Sequence, residues 1–401
     1  MELERTRRAD ILSIYVPSFF IFLGMGVVSP ILALYAESFQ VSYTLVSLAI
    51  SMYAIGRFVA DLPVGIFAER FGRRPFMIFG TALITLTSFL NAMAGSFWEF
   101  LLYRFIQGAG SSMWMTSRTT LLADILKPEE RGRVMSYFQS FMLIGSAAGP
   151  TIGGIAAELW GLNAPFYLYS LSGLVSLILT WFWIHEPKTH MRRDSDSHLS
   201  LEVWGRIIKN RSFSMACLAT FTSFFLMTGI RGTIIPLFSS DVLKLNAAEI
   251  GTVISYATIM NLIMTIPIGH GIDFYGRKPI IILSLIASAI ASIGFSFTFN
   301  YLTISIMALL LGVGTSGAQQ APLAMATDAT INEPHGLCMG LYRFFGDIGF
   351  VLGPIMLGAV ADLYGLRAPF YVMGALIILN VFLITLLAEE TYSAKRNRRP
   401  G

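Results

Sequence analysis

Apolar residues run in blocks of about twenty, separated by short polar breaks, along the whole chain. A hydrocarbon core about 30 Å thick takes roughly 20 helical residues to cross, and backbone amides left unsatisfied inside it cost too much for open structure. The pattern therefore predicts twelve membrane-spanning helices, over residues 12–35, 45–68, 76–95, 99–121, 134–157, 165–185, 213–236, 248–270, 279–299, 302–324, 336–359 and 368–388. Arg5, Arg7 and Arg8 before the first block imitate a signal peptide. That block exceeds a signal's apolar stretch of about 7–15 residues and more spans follow it, so it reads as a helix.

Composition agrees with this pattern and narrows the classes. Only 13% of the 401 residues are charged, against roughly a quarter in soluble domains, while 55% are hydrophobic and the mean hydropathy is +0.66. Soluble, disordered, collagenous and disulfide-scaffold classes are excluded. The net charge of +4 comes without a basic patch interleaved with aromatics, so nucleic acid is not an expected partner; the lipid bilayer is. Lys and Arg instead report topology: 21 of the 28 fall on one side of the predicted spans, Lys244 and Arg367 on the other, and five inside spans. The positive-inside rule then puts both termini in the cytoplasm, and the compact loops suit a bacterial inner membrane. Cys217 and Cys338 read as small buried side chains. No metal-ligand constellation, nucleophile elbow or P-loop is present, so the chain is not expected to be an enzyme, to hold a metal or cofactor, or to use ATP.

Shifting the chain by 204 residues lays its second half on its first. Pro63, Gly65, Gly72, Arg73 and Pro75 fall on Pro267, Gly269, Gly276, Arg277 and Pro279, and Ala164-Pro165-Phe166-Tyr167 recurs as Ala368-Pro369-Phe370-Tyr371. This predicts an all-α membrane protein of two pseudo-symmetric six-helix bundles: residues 1–185, a polar linker at 186–211, and residues 212–401 with a short tail. Duplicated halves with a site at their interface are a transporter architecture.

Three motifs carry chemistry. The break after the second span reads Gly65-Ile-Phe-Ala-Glu69-Arg70-Phe-Gly72-Arg73-Arg74-Pro75 and returns as Gly269-His-Gly-Ile-Asp273-Phe-Tyr-Gly276-Arg277-Lys278-Pro279. Glycines there permit close approach and tight turns, while the acids and arginines can pair or cap helix ends. The fourth span holds Arg104-Phe-Ile-Gln107-Gly108-Ala-Gly110. The fifth holds Gly145, Gly149, Pro150, Gly153 and Gly154, echoed by Gly349, Gly353, Pro354 and Gly358 in the eleventh: a small-residue stripe with a proline kink. Together these resemble the signatures of the major facilitator superfamily, with Glu69 where the family usually has aspartate. Asp124, Arg131 and Arg133 resemble the companion motif of the next cytoplasmic loop. The fifth-span stripe resembles the mark of the drug:proton antiporter branch, and Arg104 the family's buried arginine associated with proton transfer. The resemblance covers residues 10–390 and implies alternating access, a proton gradient as the energy source, and a monomer.

Charges inside the membrane break the repeat. Arg57 and Asp61 correspond to Asn261 and Thr265, and Arg343 and Asp347 to Gln139 and Leu143. Each pair is spaced i, i+4 and so can pair within its own helix. The family fold sets the second and eleventh helices side by side, which implies the alternative of a latch pairing Asp61 with Arg343 and Arg57 with Asp347, opened by protonation. In that fold helices one, four, seven and ten line the cavity, making Met25, Gln107, Trp114, Arg231, Gln319 and Gln320 lining candidates. The first span has no acid before Glu37, and Arg231 leans the cavity towards neutral or anionic amphipaths. The expected function is proton-coupled export of small amphipathic compounds. The alternatives are a dedicated sugar, metabolite or lipid exporter and, behind it, a transporter-like receptor.

Overall fold

The structure, a computed structural model, describes residues 2–125, 128–184, 201–331 and 333–392. Side chains over several helical stretches, including 2–12, 123–125 and 128–137 and so Asp124, Arg131 and Arg133, and at Glu69, lie outside the described set, as does most of the expected linker. The described chain is helical, with no strand. Its helices are α1 (Glu2–Val28), α2 (Leu32–Glu37), α3 (Tyr43–Phe71), α4 (Arg73–Ala92), α5 (Phe97–Ile125), α6 (Pro128–Trp160), α7 (Ala164–Trp183), α8 (Leu201–Lys209) and α9 (Arg211–Phe225). A π-helical segment follows (Leu226–Ile234), then α10 (Ile235–Asp241), α11 (Ala247–Tyr275), α12 (Arg277–Phe295), α13 (Tyr301–Ala329), α14 (His335–Tyr364) and α15 (Ala368–Leu387).

Each of the twelve predicted spans coincides with helix, and ten stretches are long and apolar enough to cross a bilayer. The other two show what lowers the signal. The first span is cut into α1 and α2 at Ser29-Pro30, because proline lacks an N–H and its ring disfavours helical backbone in the residue before it. The fourth, α5, is a 29-residue helix whose Arg104, Gln107 and Arg118 dilute its apolar content. Span ends follow ordinary capping chemistry. Ser42 accepts the amide of Leu45 at the start of α3, Asn210 that of Phe213 at the start of α9, and Asn300 with Thr303 forms a capping box on α13.

Contacts divide the chain into two compact units, Met1–Arg193 with Ile235–Ser255, and Asp194–Ile234 with Tyr256–Gly401. In the first, α1 packs on α6 and α7, α3 on α5, and α4 on α5 and α7. In the second, α12 packs on α13 and α15, and α14 on α9 and the π-helical segment. The sequence repeat returns as matching packing. Gly108 of α5 lies against the backbone of Tyr53 and Arg57, and Gly312 of α13 against that of Ala257 and Asn261. Apolar side chains such as Phe58, Ile263, Leu283 and Phe382 point outward, as a hydrocarbon solvent allows, and Trp98, Trp160, Trp181 and Trp183 stand exposed at helix ends.

Candidate functional site

The repeated glycine–arginine motif forms the sharp connections between α3 and α4 and between α11 and α12. Gly72 and Gly276 sit at φ +95° and +99°, a left-handed backbone that side chains with a Cβ rarely adopt. Gly65 is different, since among the described residues nothing lies within 4 Å of the place its Cβ would occupy. In the second unit Arg277 gathers the motif. Its Nε donates to Asp328 at 2.8 Å, Nη1 donates to the Ile272 carbonyl at 2.9 Å and lies 3.6 Å from Asp273, and its guanidinium lies 4.8 Å from the centre of the Tyr392 ring. Glu390 accepts the backbone amides of Arg277 and Lys278 at 3.0 Å each, a carboxylate at the positive end of α12. Lys278 in turn donates to the carbonyls of Thr385 and Ala388 at the end of α15. In the first unit Arg73 is buried and Arg74 donates to the Trp181 carbonyl, the repeat counterpart of Thr385. Arg70 is exposed beside Phe71.

Arg104 lies inside a polar network of the first unit. Nη1 donates to Gln107 Oε1 at 2.5 Å, Nε to the Ala49 carbonyl at 3.4 Å, and the guanidinium lies 4.8 Å from the centre of the Tyr53 ring. Gln107 passes the network on by donating to Ser88 at 2.7 Å, and its oxygen also takes a 3.5 Å contact from Asn91. Gln107 and Trp114, expected to line a cavity, are fully buried in this structure and offer no surface to a ligand. Trp114 instead meets Arg118, whose guanidinium lies 4.4 Å from its ring and 4.6 Å from that of Phe138. An arginine with no in-span acid nearby in sequence is thus held by aromatic faces. The Trp114–Arg118 spacing of four residues was the available signal. Met25 is half-buried, its sulfur 4.0 Å from the Tyr53 hydroxyl.

The small-residue stripe of α6 lies on α1. A methyl group added at Gly149 would stand 2.5 Å from the Gly26 backbone, and one at Gly153 would overlap the Val27 carbonyl. Gly154 faces Gly251 of α11, and Thr151 donates through Oγ1 to Ser255 at 2.8 Å. In the second unit Gly349 and Gly353 lie in the same way on the backbone of Phe221 and Phe225. Gly153→Val should therefore cost about 1–3 kcal/mol or more by overpacking. Gly65→Ala should leave thermal unfolding in detergent within error of the natural chain; equal shifts in the two variants would contradict this packing.

Each in-span acid has its own setting. Asp61 is half-buried in α3, and Ser112 of α5 donates to its carboxylate. Asp347 is half-buried in α14, and Arg343 one turn earlier is exposed. Gln319 donates to the Met227 sulfur at 3.6 Å, and Gln320 donates to Ser316 in its own helix.

The chain matches the Major Facilitator Superfamily over residues 14–270 and 220–401. It belongs to the major facilitator superfamily. Among its relatives are an uncharacterised MFS-type transporter of Methanocaldococcus jannaschii, 25% identical over 384 residues (95% of this chain, 98% of the relative), and the quinolone resistance protein NorA of Staphylococcus aureus, 24% identical over 389 residues (96% and 98%). The fold is shared with the nucleoside transporter NupG, at TM-score 0.79 and 14% identity over 94% of this chain and all of that one, and with a D-xylose-proton symporter, at TM-score 0.76 and 16% identity over 96% and 98%. Membership makes the chain an integral membrane transporter of small molecules built from twelve spanning helices, and not an enzyme.

One feature of this transporter follows the repeat: shifting by 204 residues lays Glu37 on Asp241. Beyond the apolar stretch of the first span, Glu37 of α2 meets Asp241 of α10, whose Oδ2 accepts the Tyr43 hydroxyl at 2.7 Å. Burial first, then the hydrogen bond to Asp241 and its charge, raise the Glu37 carboxyl to about 8, with Lys244 pulling the other way. A carboxyl whose pKa is raised on folding stabilises in its protonated form. The contribution is complete below the usual carboxylate range and is lost as pH rises through about 8. Between pH 5 and 9 the thermal midpoint should fall more steeply in the natural chain than in Glu37→Gln; equal slopes would rule the pair out as the source.

Proposed function

We propose that this transporter is a proton-coupled exporter of small amphipathic compounds, set in a cell inner membrane with both termini cytoplasmic and working as a monomer. The observation that carries the reading is the Gly145–Gly154 stripe, whose glycines lie directly on α1 and α11 around Pro150. It is the segment whose sequence resembles the drug:proton antiporter branch, and the similarity to a quinolone resistance protein supports the same branch. Close backbone contact without side chains between lets helices slide as a seal, which export against a gradient requires. Asp61 and Asp347 are the proposed proton carriers, each with an arginine one turn away on its own helix, Arg57 and Arg343. The Arg277 cluster is the proposed gate at the cytoplasmic end.

A panel of cationic, neutral and anionic amphipaths tested in everted vesicles, with and without an uncoupler, decides the reading. Uptake of at least one amphipath that collapses with the uncoupler is expected. Uncoupler-insensitive movement of one sugar or metabolite alone would favour a dedicated facilitator, and binding without flux a receptor.

A further inference from the structure

Arg231 differs from the other arginines inside the spans. Arg104 is bonded to Gln107 and the Ala49 carbonyl, Arg118 is held by rings, Arg57 is engaged by its neighbours, and Arg343 is exposed. Arg231 is half-buried, with no hydrogen-bond or ion-pair partner among the described residues. It sits within Arg211–Asp241, an apolar stretch of 31 residues with mean hydropathy 1.6. A guanidinium stays charged at any ordinary pH, and holding it in a span without a counter-charge costs at least about 2.5–3.5 kcal/mol. The fold does not demand that cost. In the repeat, the position equivalent to Arg231 is Val27, which is buried against Gly153.

The backbone around Arg231 is as specific as its charge. It lies in the π-helical segment, where the Thr233 hydroxyl donates to the Thr228 carbonyl five residues back and Gly229 is pressed against Gly353 and Leu357 of α14. Such wide turns recur at functional sites. Met227, one turn before Arg231, receives the Gln319 amide on its sulfur, which leaves the other end of that carboxamide unbonded. Space is also open beside Gly232, where an added Cβ would find only one atom, the Met227 carbonyl oxygen at 3.6 Å. A fixed cation and an adaptable thioether therefore lie four residues apart in the π-helical segment, and the thioether holds the amide of a carboxamide on α13 whose oxygen is unbonded among the described residues.

We propose that Arg231, with Gln319 and Met227, forms the polar end of a binding site for an organic carboxylate whose apolar body lies along the thioether. A carboxylate matches the guanidinium fork with two parallel hydrogen bonds, supplies the missing counter-charge, and leaves the carboxamide to bond a second polar group. The proposal rests on the transport reading above and names the substrate class of that transporter.

The test is equilibrium binding to the full chain in phosphatidylcholine nanodiscs, with empty nanodiscs subtracted. The probes are 1-naphthoate and its uncharged isostere 1-naphthamide. In the natural chain naphthoate should bind about tenfold or more tighter than the amide, the range of a good charge-assisted pair. Arg231→Gln should bring the ratio to about one while the amide's affinity stays within about threefold, and Arg231→Lys should restore part of the ratio. Gln319→Ala should change the affinity for naphthoate by less than about threefold, because this probe has no second polar group for the carboxamide to bond. Equal binding of both probes to the natural chain overturns the proposal, as does an unchanged ratio in Arg231→Gln; the first comparison needs no variant to fold. Inorganic phosphate at 100-fold excess over naphthoate should not displace it, and full displacement would show a simple anion site instead. If the ratio depends on Arg231 but no amphipath moves with a pH gradient, the export reading fails and this site stands. Proton-driven export of amphipaths without charge discrimination overturns the site and leaves the export reading standing.

Discussion

Asp61→Asn is expected to remove the proton-driven part of transport while leaving the chain folded. Asparagine has nearly the shape of aspartate, keeps an oxygen to accept the Ser112 hydroxyl, and cannot take or release a proton. The ionisable side chain is costly where it stands, half-buried on a spanning helix, and its repeat counterpart is Thr265, so the fold has an uncharged alternative. The driven rate should fall roughly 5–150-fold, the span of a 1–3 kcal/mol coupling free energy, while probe binding changes little. Asp347→Asn on α14 is the companion experiment. The acid whose loss stops proton movement is the carrier, and loss in both variants means the two act together. If the single variants and the double variant all move protons at the natural rate, neither acid is the carrier.

Arg104→Met is expected to act first on stability. Methionine fills most of the same volume but leaves Gln107 with only the long Asn91 contact on its oxygen, in a site with almost no access to water. Losing a hydrogen bond to a charged group, with a buried acceptor left behind, costs roughly 1.5–3 kcal/mol. The thermal midpoint should drop by several degrees, with Arg104→Lys intermediate, because an ammonium cannot reach both Gln107 and the Ala49 carbonyl as a planar fork does. Transport per folded molecule should then be largely retained. An unchanged midpoint together with lost proton movement would instead assign Arg104 to proton transfer.

Long-range hydropathy made most of this molecule legible, because a span must be apolar along its length whatever packs around it. Matching helix contacts were legible because duplication preserved the glycines that bring helices together, such as Gly108 with Gly312 and Gly149 with Gly353. The π-helical segment was not, since a widened turn inside an apolar run leaves that run just as apolar. Glu390 as the cap of α12 was equally hidden, being separated by more than a hundred residues from the amides it serves, whereas the repeat lays Asp241 on its partner Glu37. Gln107 shows the remaining ambiguity. A polar residue on a helix expected to line the cavity can face a ligand or a neighbouring helix, and here Ser88 and Arg104 claim it. Arg231 was visible as a charge out of place, and the structure adds its setting: a π-helical segment in which Met227, four residues earlier, takes the Gln319 amide on its sulfur.

The most direct test of proton-coupled export is proton movement in proteoliposomes holding the purified chain, a trapped pH-sensitive dye and an imposed pH gradient. Addition of a transported amphipath should speed collapse of the gradient in the natural chain, and should not in the variant lacking both Asp61 and Asp347. Substrate flux at the same rate with and without the gradient, and no dye response to any amphipath, would contradict the account.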